Sequence, residues 1–191
     1  VCASGSIERS MVLDLLTALV EKSLVQFDSD AGRYRMLETV REYAQERLDE
    51  SRDDDRLHTR YLRHFVEFAE RACSELRGPN QATWLAKLDR ERENLVSAHA
   101  ASDRAEGGAE FDLRLVNPIT RYCVVRGVPQ LGYRIAVEAL IRVVREDTSP
   151  AVRRSAAWAL GQLEARSAVD VLIAVLRQDA DARVREMAAW A

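Results

Sequence analysis

Residues 141–159 (IRVVREDTSPAVRRSAAWA) and 173–191 (IAVLRQDADARVREMAAWA) repeat each other at an offset of 32, with ten of 19 positions identical. A fixed period of that length restricts the region to a stack of like units, each too small to bury its own apolar face. Ala136, Val137 and Leu140 also match Ala168, Val169 and Leu172, so the repeat begins before residue 140. Each unit reads as two helices. Pro150 falls where a first turn tolerates proline, and Asp147, Thr148 or Ser149 can cap the amides before it. Val152, Ala156, Ala159, Leu160 and Leu163 then form one apolar stripe at helical spacing. Ala156, Ala157 and Gly161 are small enough to let neighbouring helices approach closely. The second helix, 168–177, is apolar on nearly every side and is expected in the middle layer of the stack.

Two residue pairs recur with the period. Trp158 and Trp190 would form a ladder, which either covers the edges of adjoining helix pairs or offers a partner-binding surface, since Trp is enriched at binding hot spots. Arg153 and Arg185 are expected to pair with Asp147 and Asp179, or with the next unit, and so to set register. The second copy stops at Ala191, inside its first helix, so the chain is expected to be a piece of a longer protein.

Composition agrees with a mainly helical chain. Eight glycines and four prolines in 191 residues are about half the roughly 12% share of ordinary chains. No apolar run approaches the roughly 18 residues of a membrane span, and no signal peptide is evident, so a cytoplasmic protein without a membrane partner is expected. Cys2, Cys73 and Cys123 form no CxxC pair, which removes a zinc ribbon and a disulfide framework. His58, His64 and His99 fit no metal-ligand spacing and are expected to be partly exposed and solvated. Lys22 and Lys87, the two lysines, do not follow glycine, so the phosphate-cradling GxxxxGK[ST] loop is absent from this stretch. No catalytic residues, metal site or cofactor are assigned to it, and it is not expected to be an enzyme by itself.

The N-terminal fifty residues have another texture. Val12, Leu13, Leu15, Leu16, Leu19 and Val20 mark an amphipathic helix ending near Lys22 and Ser23. Residues 24–27 and 33–36 are short strands flanking a loop, 28–32, with the Asp, Ser and Gly chemistry of a hairpin. Helical spacing returns over 38–48, and helix, hairpin, helix is the outline of a winged helix. Residues 1–50 hold six basic and ten acidic side chains, a net charge of −4. Phosphate neutralisation supplies most DNA affinity, so no direct contact with nucleic acid is expected from this stretch. Further helices are expected from the acidic start Asp53-Asp54-Asp55 to Leu76, over 81–104, over 111–126 with Pro118 inside it and so a kink or break near Asn117, and over 131–145. Tyr61 and Trp84 belong to the core of this bundle, and Cys73 and Cys123 act on apolar faces as small hydrophobes.

Asp147, Val152-Arg153, Ala156-Ala157 and Ala159-Leu160-Gly161 follow the pattern D-x-x-x-x-V-R-x-x-A-A-x-A-L-G, and on it residues 135–191 resemble short HEAT repeats of the PBS-lyase-like kind. A second resemblance covers residues 12–98. Val12-Leu13-Asp14-Leu15-Leu16, Leu19 to Val25, the run RYRMLETVREYA at 33–44, Glu75-Leu76-Arg77-Gly78-Pro79, Trp84-Leu85 and Glu91-x-Glu93-Asn94-Leu95 are similar to bacterial signal-transduction ATPases with numerous domains (STAND proteins), related to NB-ARC and apoptotic ATPases. That resemblance implies a transcription regulator laid out as a winged-helix domain (1–50), a helical linker bundle (51–108), TPR-like helices (109–134) and HEAT repeats (135–191), a mainly α chain with one small hairpin. It implies an upstream nucleotide-binding domain as partner, ATP or ADP as cofactor of the full-length protein, and an unknown protein or small-molecule trigger on the repeat arm.

Relatives carry a Met-His-Asp signature after the wing, where the His reaches ADP phosphates; here Met36-Leu37-Glu38 stand, and leucine donates no hydrogen bond. The resemblance therefore places a nucleotide-sensing interface at Met36, Leu37, Glu38 and Arg41, of which Glu38 or Arg41 acts on the domain contact. Glu38 otherwise serves only as a first-turn carboxylate for its own helix. Trp158, Trp190, Arg153 and Arg185 are the candidate partner surface. A stand-alone scaffold of helical repeats is the alternative, and a HEAT-containing lyase would need a cluster of titratable residues that the sequence does not display.

Overall fold

The computed structural model describes residues 8–30, 32–50 and 54–191. Cys2, Ala31 of the hairpin loop and Asp53 of the acidic helix start lie outside the described residues.

The first helix, α1 (Arg9–Glu21), ends in a left-handed turn: Ser23 has φ 57°, and the Leu24 amide reaches back to the Leu19 carbonyl at 3.0 Å. That reversal feeds the antiparallel pair β1 (Val25–Asp28) and β2 (Arg33–Met36), with Val25 opposite Met36 and Asp28 opposite Arg33. Gly32, at φ 61°, supplies the left-handed residue of the loop. Phe27 and Tyr34 meet across the strands with ring centroids 4.9 Å apart. The helix α2 (Glu38–Asp49) completes the unit. Its interior is thin. Among the described residues of this unit, Val25 is the buried apolar side chain, while Leu13 and Leu15 of the expected inward face are exposed and Val12, Leu16, Leu19 and Val20 half-buried.

The helices α3 (Asp54–Glu75), α4 (Gln81–Ala101), α5 (Gly108–Val125) and α6 (Pro129–Glu146) close round a first core that includes Leu62, Val66, Leu88, Leu95, Leu115, Ile119 and Ile135. Tyr61 and Trp84 pack against it half-buried. Of the kink or break expected near Asn117, the break does not occur: α5 is one helix through Pro118, which is buried with its neighbours Leu115, Val116 and Ile119 in packing that outweighs one lost backbone bond.

The second core is built by α6 with α7 (Pro150–Gln162), α8 (Val169–Gln178) and α9 (Ala182–Trp190), around Val143, Val144, Ala157, Leu160, Leu172 and Val184. The apolar faces of α8 differ in burial. Val171, Leu172 and Val175 are buried against the neighbouring helices, and Val169, Ile173 and Leu176 are exposed. One helix serves both cores: Ile135 and Ala139 of α6 belong to the first, Val137, Val143 and Val144 to the second. The described residues are mainly helical, with one two-stranded hairpin followed by a helical repeat array. Among the described residues no helix is long and apolar enough to cross a membrane.

Candidate functional site

The hairpin is tied to the helices behind it by an arginine. Arg33, at the start of β2, donates to the Arg90 carbonyl oxygen at 2.5 Å and to the Glu91 carboxylate at 3.1 Å, both on α4. Asn94 holds the same carboxylate at 2.6 Å, so the acceptor is fixed before the arginine reaches it. Burial and the nearby Glu91 charge push the Tyr61 hydroxyl up to about 12, and that hydroxyl donates to the Asn94 carbonyl at 3.2 Å.

The tie leaves a cleft of about 660 Å³ between β2, the start of α2 and α4. Arg33, Arg35, Arg41, Arg90 and Arg92 line it against Glu38, Asp89 and Glu93. Two of those carboxylates are already occupied. Glu38 pairs with Arg41 at 2.5 Å, and Asp89 accepts from Tyr122 at 2.7 Å and pairs with Arg126. Arg35, Arg90 and Arg92 form no salt bridge among the described residues. In a chain of net charge −3 the cleft is locally cationic. Met36, Glu38 and Arg41 sit at its edge, while Leu37 is the exposed residue preceding α2 and makes no capping bond.

The repeat pairs behave alike at one end and differently at the other. Asp147 accepts from the Ser149 amide at 2.7 Å and Asp179 from the Asp181 amide at 2.9 Å, so each unit opens on the same turn. Arg153 then donates to the Asp147 carbonyl at 2.8 Å, and Arg185 to the Asp179 carbonyl at 2.7 Å. Arg153 also spans to the next unit, gripping both oxygens of Asp179 at 2.8 and 2.9 Å, and this bond holds the Asp179 carboxyl below its usual pKa. No carboxylate among the described residues takes the corresponding place on Arg185. Trp158 and Trp190 are 51% and 61% exposed and flank a shallow depression of about 500 Å³ with Arg154, Arg183, Glu186 and Met187.

A polar cluster at the seam between the two cores was not anticipated. His58, expected to be partly exposed, is buried, and so is His99, at 4% exposure. Its Nδ1 lies 2.8 Å from Asp112 Oδ1 on α5 and its Nε2 2.9 Å from Glu138 Oε2 on α6. Arg142, also on α6, pairs with the other Asp112 oxygen and with Asp103 at 2.5 Å. Burial works against a charged imidazole here, but the bonds to Asp112 and Glu138 outweigh it and raise the His99 pKa above the usual histidine value. The sequence did carry a signal: Asp112 sits on the stripe of Leu115, Val116 and Ile119, and Arg142 on that of Ile135, Ala139 and Val143. Charged residues on buried stripes are partnered or costly, and these partner each other.

Comparison with known proteins bears on both ends of the chain. Residues 1–49 match the winged helix-turn-helix domain, and residues 113–191 match HEAT repeats. The chain is thus similar to a winged helix-turn-helix domain at one end and to HEAT repeats at the other. It is 38% identical over 121 residues to proteins of Mycobacterium tuberculosis and Mycobacterium bovis that carry the provisional name HTH-type transcriptional regulator. The match covers 62% of this chain and 13% of each relative, so the chain spans about an eighth of their length. No solved structure gives a significant match.

These findings overturn the expectation that this stretch makes no contact with nucleic acid: a winged helix-turn-helix domain with relatives named as HTH-type regulators points to DNA binding. The expectation failed because it averaged charge over fifty residues, whereas affinity depends on the surface presented. Arg33 and Arg35 lie on one strand and join arginines of α4, outside the counted window, in a single cleft.

Proposed function

We propose that this chain is the control segment of a transcription regulator, in which the winged-helix domain works at DNA and the helical array behind it sets the position of the wing. The observation that carries the reading is the tie from Arg33 to Arg90 and Glu91, which makes wing and α4 one mechanical piece beside a cationic cleft. In the finer reading, drawn from the STAND resemblance, a nucleotide-binding core elsewhere in the full-length protein handles ATP and ADP. It packs on the face that includes Met36, Leu37, Glu38 and Arg41. A trigger binding the array then shifts the balance of closed and open states, and it can do so only by as much as it prefers one of them.

The test is DNA binding by the 191-residue chain, followed against salt concentration. Replacing Arg35, Arg90 and Arg92 together by Ala removes up to three phosphate contacts, and the log–log salt slope should flatten by about 2–3. Unchanged affinity and slope would remove DNA from the cleft. Trp158, half exposed beside the next unit, favours a second reading, a repeat scaffold that binds a protein partner. In that case the triple variant would retain partner binding in full while Trp158→Ala lost it.

A further inference from the structure

His99 and its partners join the two cores of the molecule, and the geometry constrains the charge of the ring. Both ring nitrogens face carboxylate oxygens, Asp112 at 2.8 Å and Glu138 at 2.9 Å. A neutral imidazole carries one N–H, so it can donate to only one of the two; the other carboxylate would then face a lone pair. Only the doubly protonated ring satisfies both.

We propose that His99 is a proton-operated latch: its charged ring, carried on α4, bridges Asp112 of α5 to Glu138 of α6, and loss of one proton releases Glu138.

The direction of release follows from burial. Asp112 is fully enclosed and also held by Arg142, so it keeps the remaining N–H on Nδ1. The Glu138 side chain is half exposed, with Arg134 4.0 Å away, and it can turn to water or to that arginine when Nε2 loses its proton. Each element around the ring brings its own charges. From α5 comes Asp112, from α6 Glu138 and Arg142, from the turn after α4 Asp103, which shares Arg142, and from α3 His58, in the adjoining cleft with Asp103 and Arg104.

The latch sits on the helix that holds the wing. Glu91, which receives Arg33, and His99 are eight residues apart on α4, about 12 Å along the axis. A change in how α6 grips α4 therefore reaches the anchor of the wing through one rigid element. The sign is fixed by the raised pKa: the latch is closed below histidine's ordinary value of about 6.5 and opens as pH rises through the higher folded-state value. The proton site stands by itself; only what its opening controls rests on the regulator reading above.

Glu138→Gln is the decisive variant. A glutamine amide can donate to a bare Nε2, so the neutral ring becomes acceptable and the latch no longer needs the second proton. The ring signals of His99, followed by NMR in the full 191-residue chain, should titrate above about 6.5 in the natural sequence and shift downward in Glu138→Gln. Amide exchange in α6, corrected for intrinsic chemistry, should rise several-fold between about pH 6 and pH 8.5 in the natural chain and stay flat in the variant. Circular dichroism reports whether the variant folds, and His99→Gln provides a second chain lacking the titration. A His99 that titrates at or below 6.5, or α6 exchange with the same pH course in all three chains, overturns the latch. Failure of the regulator reading would look different: the titration would remain, and DNA affinity would ignore it.

Discussion

Asp179 shows what a single side chain contributes to a stacked array. It closes its own turn by accepting the Asp181 amide at 2.9 Å and closes the joint between units by receiving both arms of Arg153. The repeat pattern predicted a bond of this kind for Arg153 and left open whether Asp147 or the next unit would supply it. The structure uses both, the Asp147 backbone for one nitrogen and the Asp179 side chain for the other two. Asp179→Asn keeps the shape but discards the charge, and should lower stability by about 1–2 kcal/mol at neutral pH. The carboxyl is held below its usual pKa, so its contribution is complete above about 3.9, the unfolded value, and fades as pH falls through the folded one. Urea unfolding of both chains at pH 7 and near pH 3 checks this: the gap between them should shrink in acid. An equal gap at both pH values would mean that the arginine bond is not what Asp179 supplies.

Elements were legible where their causes are local. The hairpin could be read because Asp, Ser and Gly between two short strand-forming segments encode a reversal, and the repeat because identical residues at a fixed offset must occupy equivalent places. The continuity of α5 could not be read. Local chemistry asks Pro118 to break the helix, and only burial on the first core, formed by residues distant in sequence, overrules it. The seam cluster was obscured for the same reason, since His99, Asp112 and Glu138 are brought together from three helices. The start of α5 is a sharper case. A Cβ on Gly108 would stand 1.9 Å from the Ser102 carbonyl oxygen, a backbone atom of the preceding turn that cannot step aside. Gly108→Ala should therefore cost on the order of 3 kcal/mol, read as a lower denaturation midpoint. If the midpoint stays within experimental error of the natural chain, the turn before α5 is looser than its packing indicates.

At the scale of the whole molecule the cores are unequal. The bundle and the array each bury a continuous set of apolar side chains and share α6, whereas among the described residues the winged unit buries little beyond Val25. Local opening follows buried contacts, so amide exchange should be fastest in α1 and the hairpin and slowest in α6. The wing keeps its place through the Arg33 tie more than through a core of its own, and that makes the tie separable. Glu91→Gln retains the volume and one acceptor oxygen but removes the charge that Arg33 meets at 3.1 Å. Exchange in β1 and β2 should then rise several-fold while α6 to α9 keep the natural rates, because neither core includes Glu91. If the hairpin is as protected in Glu91→Gln as in the natural chain, the wing is held by something other than this ion pair. A rise in exchange along the array as well would mean that the charge supports α4 itself. The selective outcome would show a weakly cored wing borrowing its order from the helices behind it, which is what an array must do if it is to control a wing by moving.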